Sequence, residues 1–381
     1  MTNAILLAAV LAACAVLIWV VWKQQENQDA AAQEPEDARI PPLLRGINYL
    51  LSDEPDRALK ELVHVAKLQT ETAEVYLALG DMFRNKGEFG RAVRIHQNLL
   101  ARPDLPEHLH MQAQLALAID FQAGGLLGRA LQQYKRVLDV QPGHIQALQG
   151  SLRIREQGRE WEMAEDFLQR LDRVRGITSS LHHAYLLTEM ARQKLARHNE
   201  KEALALVEQA IECAPACAAA HMLLAEIDLR RGEAEAAIDS MRQLHAAAAY
   251  YLPLMIPMLL ANRQAYDTYG QAFLMQCWQQ THDELLALAW IRAMHDERGA
   301  EAARELIQSM QFEPQSLSAC LHLKALLGDD DALTRASREW QKTQKNVACI
   351  ECGVEFIDMR WQCPQCHEWG TMRPIREKKK S

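Results

Sequence analysis

An all-α protein is predicted: a tetratricopeptide-repeat superhelix with one N-terminal transmembrane helix and a small C-terminal four-cysteine metal-binding module. Three observations predict it. An uncharged apolar run opens the chain, small residues recur 34 positions apart through its middle, and two Cys-x-x-Cys pairs close it. Apolar residues make up 49% and aromatics 6%, a balance that suits helices. The net charge of −8 excludes a nucleic-acid binder held by bulk charge.

The opening run, residues 4–22, reads "AILLAAVLAACAVLIWVVW" and carries no charged side chain. As a helix it spans about 30 Å, one bilayer core. A cleaved signal peptide is the rival reading, but it wants a basic segment before the run and a small-residue cleavage site after it. Here Met1, Thr2 and Asn3 precede the run, Trp19 and Trp22 close it, and Lys23 follows. Tryptophans suit a membrane interface, and a cation on the C-terminal side places that side in the cytoplasm. The cysteines agree. Nine is an odd number, and Cys14, Cys213, Cys217, Cys277 and Cys320 are scattered singly, as in a reducing compartment. Residues 23–38 are polar, without apolar periodicity, and read as a linker.

A repeat array is expected over residues 39–345. Gly46 and Gly80 lie 34 apart, as do Ala58 and Ala92, Ala130 and Ala164, and Ala203 and Ala237. The segment 73–106, "AEVYLALGDMFRNKGEFGRAVRIHQNLLARPDLP", shows the layout best. Leu79, Gly80 and Phe83 mark a first helix, Gly87 a turn, Ala92 to Leu99 a second helix, and Pro106 the close. Small residues at fixed positions let paired helices cross closely. Steps of 38 and 39 (Ala92 to Ala130, Ala164 to Ala203) imply insertions between repeats. Six units are expected to about residue 250, then one or two degenerate pairs, of which "ERGAEAARELIQSMQFEP" is the clearest. Such stacks bind extended peptides or helices along a concave groove.

Enzyme signatures are missing from the sequence: no Gly-x-Ser-x-Gly, no phosphate-binding Gly-Lys-Ser/Thr loop and no His-Glu-x-x-His. His108 and His110, or His182 and His183, do not share a helix face and read as surface or partly packed side chains. The glycine cluster at 124–128 reads as a helix–helix turn. Cys213 and Cys217 flank Pro215 at an inter-repeat turn and read as structural.

The metal-binding module is expected over 346–376. Cys349 and Cys352 form one pair, Cys363 and Cys366 the other, with ten residues between them. Four thiolates can close a tetrahedral shell around one ion, which favours a structural site over a catalytic one. Gly353 sits where the first knuckle needs a left-handed residue. The spacer "GVEFIDMRWQ" is expected to form two short strands, with Trp361 and Trp369 covering the site. A redox dithiol would need a strand–helix context that is absent here. Zinc and iron both accept four thiolates, and the sequence does not choose between them. Residues 377–381 form a basic tail. Arg373, Arg376 and Lys378 to Lys380 against Glu377 favour the anionic cytoplasmic leaflet weakly.

Taken in order, anchor, repeats and metal module resemble the lipopolysaccharide assembly protein B family. The stretches that carry the resemblance are "GINYLLSDEPDRAL", "RNKGEFGRAVRIHQNLL" and "RWQCPQCHEWGTMRPIR", and it covers essentially the whole chain. It implies a rubredoxin-like module with Cys349, Cys352, Cys363 and Cys366 as ligands of one structural iron or zinc ion. It further implies a single-pass protein of the Gram-negative inner membrane, with repeats and metal module on the cytoplasmic side. The implied role is non-enzymatic: an adaptor for the membrane protease FtsH that promotes degradation of the LpxC deacetylase and recruits other lipopolysaccharide assembly proteins. His367 departs from the family pattern, where glycine often follows the fourth cysteine. Two other classes stand beside this reading, a membrane-tethered scaffold for another envelope pathway and an iron-site electron-transfer protein.

Overall fold

The computed structural model describes residues 73–375 and the isolated positions Lys23, Gly46, Tyr49 and Arg57. The expected transmembrane run, the first repeat unit apart from those isolated positions, and the basic tail lie outside the described residues. Among the described residues, no helix is long and apolar enough to cross a membrane. The chain divides into two compact units, Met1–Val137 and Leu138–Ser381.

In the first unit, α1 (Ala73–Asn85) and α2 (Phe89–Leu100) pair, and α3 (Glu107–Ala123) packs on both. Tyr76, Leu79 and Phe83 of α1 meet Ile95 and Leu99 of α2 in one buried cluster. The crossing is close because Gly80 and Ala92 are small. A Cβ on Gly80 would lie 2.3 Å from Nε2 of the buried His96. That imidazole cannot retreat. Its Nδ1 lies 2.5 Å from Asp120 Oδ2 on α3, and Arg84 donates to Asp120 Oδ1 at 2.9 Å. A buried carboxylate with two nitrogen partners is satisfied and fixes the three helices in register. α4 follows over Leu127–Val140.

The second unit continues with helix pairs: α5 (Ile145–Gln157) with α6 (Trp161–Arg175), α7 (Ser180–Ala196) with α8 (Glu200–Cys213), and α9 (Ala218–Arg231) with α10 (Ala234–Ala248). Ala164, Ala203 and Ala237, the small residues of the 34-residue pattern, are fully buried. The repeat then breaks. A 3₁₀ segment (Ala249–Leu254) and a short helix, α11 (Ile256–Ala261), lead through a π turn (Tyr266–Gly270) into α12 (Gln271–Thr281). Pro253 and Pro257 lack the N–H that a continuous α-helix needs here. Met255, Leu259, Tyr266 and Trp290 fill the core around this irregular stretch, and Trp290 donates to the Tyr266 hydroxyl at 3.1 Å. Two further hairpins follow, α13 (Glu284–Arg298) with α14 (Ala300–Met310), and α15 (Leu317–Leu327) with α16 (Ala332–Thr343).

The chain ends in a three-stranded antiparallel sheet of β1 (Val347–Cys349), β2 (Glu355–Phe356) and β3 (Met372–Pro374), in the order β2-β1-β3. Val347 faces Phe356 on one side and Pro374 on the other. The spacer between the cysteine pairs supplies one strand, β2, and a single bridge from Gln362 to Trp369, where two strands were expected.

Candidate metal centre

Each Cys-x-x-Cys pair closes a tight turn. Gly353 N donates to Cys349 O at 2.9 Å, and His367 N donates to Cys363 O at 2.9 Å. The two turns match in backbone conformation as well. Gly353 has φ +73° and His367 has φ +62°, so the second knuckle keeps the fold of the first at the cost of a left-handed side-chain-bearing residue.

These turns and the sheet bring together all four cysteines the sequence singles out. Their sulfurs lie within 4.8 Å of one another, with Cys349 and Cys366 3.6 Å apart and Cys352 and Cys363 3.7 Å apart. Cys349 and Cys363 are buried, Cys366 is half-buried and Cys352 is exposed. Val347, Met372, Val354, Phe356 and Met359 pack around them.

The donor set fits a cation. As free thiols the four are in conflict. Burial opposes ionisation of Cys349, but bonds with Thr371 and the amides of Cys352 and Glu351 outweigh it and hold the thiol down at about 6. Burial and the neighbouring Cys363, Cys349 and Cys352 push Cys366 up to about 12. Four sulfurs this close cannot all carry charge by themselves, whereas a divalent ion removes the conflict. Cys349, Cys352, Cys363 and Cys366 would hold the ion, which would supply a structural cross-link between two turns that share little core.

Trp361 and Trp369, expected from sequence to cover the site, are not among the side chains packed on the cysteine cluster. They attach the ribbon to the helices. Trp369 stacks on Tyr185 of α7 at 5.3 Å between ring centres and meets Trp161 of α6 edge-on at 6.2 Å. Trp361 lies 5.4 Å from Tyr251 in a T-shaped arrangement and 5.9 Å from Tyr185. Gly370 comes so near that a Cβ there would sit 2.8 Å from the Tyr185 ring. Tyr251 donates to Met372 O at 2.9 Å. Arg373, read from sequence as part of a lipid-facing tail, stacks instead over Tyr250 and Tyr251 at 4.4 and 5.1 Å and donates to the Tyr251 hydroxyl.

At the centre of this contact lies Glu156 of α5, 4% exposed. Trp369 Nε1 donates to Oε1 at 3.0 Å, Gln362 Nε2 donates to Oε2 at 3.0 Å, and His182 Nε2 lies 2.5 Å from Oε1. Glu156, Tyr185 and Tyr251 carried no signal in the sequence; they stand at ordinary helix and turn positions 110 to 213 residues from their partners in the ribbon.

The remaining candidate ligands serve the helices. His183 bridges Glu165 (2.8 Å) and Asp172 (3.1 Å), while Asp172 also accepts from Ser179 N at 2.6 Å. Cys217 is buried and Cys213 exposed, and among the described residues neither belongs to a group of three or more candidate ligands.

Known proteins are similar to the ribbon and to the chain as a whole. A family described as "Rubredoxin metal binding domain" matches residues 348–374. Lipopolysaccharide assembly protein B of Escherichia coli (strain K12) is 26% identical over 370 residues, 93% of this chain and 92% of that protein. The protein of the same name from Haemophilus influenzae is 25% identical over 354 residues, 87% of this chain and 88% of that protein. A tetratricopeptide repeat protein from Parabacteroides merdae, of known crystal structure, covers 67% of this chain and 98% of its own at 14% identity and a TM-score of 0.36. The resemblance read from the sequence therefore holds: the chain is similar to lipopolysaccharide assembly protein B over nearly the whole length of both.

Proposed function

We propose that this chain is a non-enzymatic scaffold of the bacterial inner membrane that restrains lipopolysaccharide synthesis by delivering the LpxC deacetylase to the membrane protease FtsH. The observation that carries the reading is collinear homology to lipopolysaccharide assembly protein B, from the helix pairs to the four-cysteine ribbon. The physical design is compatible with it. Stacked helix pairs offer a recognition surface larger than a single domain of the same length gives, and a metal-held ribbon packed on that stack stiffens it. The uncharged run at 4–22 is the proposed tether, with Lys23 on the cytoplasmic side.

Affinity capture from native membranes tests the assignment. Full-length protein is expected to bring down FtsH and LpxC together, along with other lipopolysaccharide assembly proteins. Capture of a different envelope complex with neither of those two would replace this reading with that of a scaffold for another pathway.

A further inference from the structure

We infer that Glu156 is a positioning residue for the metal centre: its carboxylate, supplied by the helical array, clamps the stem of the second cysteine knuckle, so that ribbon docking and metal retention are one equilibrium. The inference rests on reading the four cysteines as ligands of one ion.

The geometry is specific to the knuckle. Cys363 and Cys366 lie in a loop whose stem is the antiparallel bridge from Gln362 to Trp369. Cys363 N donates to Glu368 O at 2.9 Å inside that stem, and Gln362 Nε2 also reaches His367 O at 3.2 Å. Glu156 takes one donor from each side of the stem, Gln362 through Oε2 and Trp369 through Oε1. The carboxylate thus ties together the residue before the third ligand and the residue three after the fourth. Without the array, the stem would rest on one short bridge and on the left-handed His367.

The dependence runs both ways. A group that holds the loaded knuckle better than the empty one raises metal affinity, and the metal strengthens that group's hold by the same factor. Partners outside the ligand shell are commonly worth 10- to 100-fold in metal affinity. Glu156 has its own stake in the contact. If the ribbon leaves, the buried carboxylate keeps His182 and loses two of its three nitrogen partners, and a buried acceptor left short is costly. Metal loss would therefore release the ribbon and bare the face made by Glu156, Tyr185 and Tyr251.

The test is zinc release from the full chain to a chromogenic chelator, under reducing, anaerobic conditions, for wild type, Glu156→Gln, Trp369→Phe and the double variant. Trp369→Phe keeps an aromatic ring on Tyr185 and removes one N–H donor, so it separates the clamp from the packing and remains informative if Glu156→Gln folds poorly. Each single variant is expected to bind zinc about 10-fold more weakly or worse, at unchanged helix content. The double variant is expected to lose less than the sum of the two single losses, because both changes weaken the contact between the Glu156 side chain and Trp369. Wild-type zinc affinity in a folded Trp369→Phe or Glu156→Gln protein would overturn the clamp while leaving the four-cysteine site standing. A wild-type chain that holds neither zinc nor iron would overturn the site and the clamp with it.

Discussion

His367 shows what a single residue costs at the metal centre. It takes the left-handed conformation that Gly353 takes in the other knuckle. A side chain there costs about 1–2 kcal/mol, while glycine would return about 0.5–1 kcal/mol of that in the unfolded chain. His367→Gly is therefore expected to stabilise the ribbon by about 0.5–1 kcal/mol with metal stoichiometry unchanged, read as a higher denaturant midpoint of tryptophan fluorescence. A lower midpoint would mean that the imidazole contributes a contact that offsets the strain. His183 makes the corresponding case for charge. Its hydrogen bond to Glu165 leads, and outweighs burial, in raising its pKa above 6.5; the charge of Glu165 and Asp172 adds to it. Protonated His183 therefore stabilises the α6–α7 junction fully below pH 6.5, and the contribution is lost as pH rises through the raised value. Asp172 works in the opposite sense. Burial opposes it, but Ser179 and His183 hold its pKa below the usual 3.8, so its contribution is present above that value and lost in stronger acid. Between pH 6 and 8.5 the wild type is expected to lose more stability than His183→Gln in matched denaturant titrations. Parallel curves would remove His183 from the account.

At the scale of elements, the regular part of the fold was written in the spacing of small residues. Gly80, where a Cβ would collide with His96, and the fully buried Ala92, Ala164, Ala203 and Ala237 mark the packed helix faces, and a fixed interval of small residues is visible in any sequence. The irregular stretch from Ala249 to Gly270 was not, since a 3₁₀ segment and a π turn have no period to read. The cysteine pairs announced the knuckles by spacing alone, whereas one of the two strands expected between them did not form. The crossing at Gly80 gives a direct test. Gly80→Ala places a methyl group 2.3 Å from an imidazole that Asp120 holds in place. Overpacking of this kind costs about 1–3 kcal/mol, even though alanine is the better helix former by about 1 kcal/mol. Net destabilisation is expected in thermal unfolding. An unchanged or higher midpoint would mean that α1 and α2 do not cross there.

For the molecule as a whole, the attachment of the ribbon to the helices was the least legible feature. It depends on Glu156, Tyr185 and Tyr251 meeting Trp369, Trp361 and Arg373 across 110 to 213 residues of chain. None of these residue types is unusual where it stands. Tryptophans beside a four-cysteine site invite a local role, and only the fold reveals that they pack on the helices. The ribbon is consequently packed into the helical array and not an appended tag. The proposed adaptor must also keep its substrate beside a membrane protease, and a tether does so by raising effective concentration without adding contacts. The most direct measurement is the half-life of the LpxC deacetylase in cells that carry, at matched levels, the full chain or a chain lacking residues 1–22. The full chain is expected to shorten that half-life and the truncated chain to leave it near the value in cells without the protein. Equal shortening by both would contradict tethered delivery, and no shortening by either would contradict the adaptor function itself.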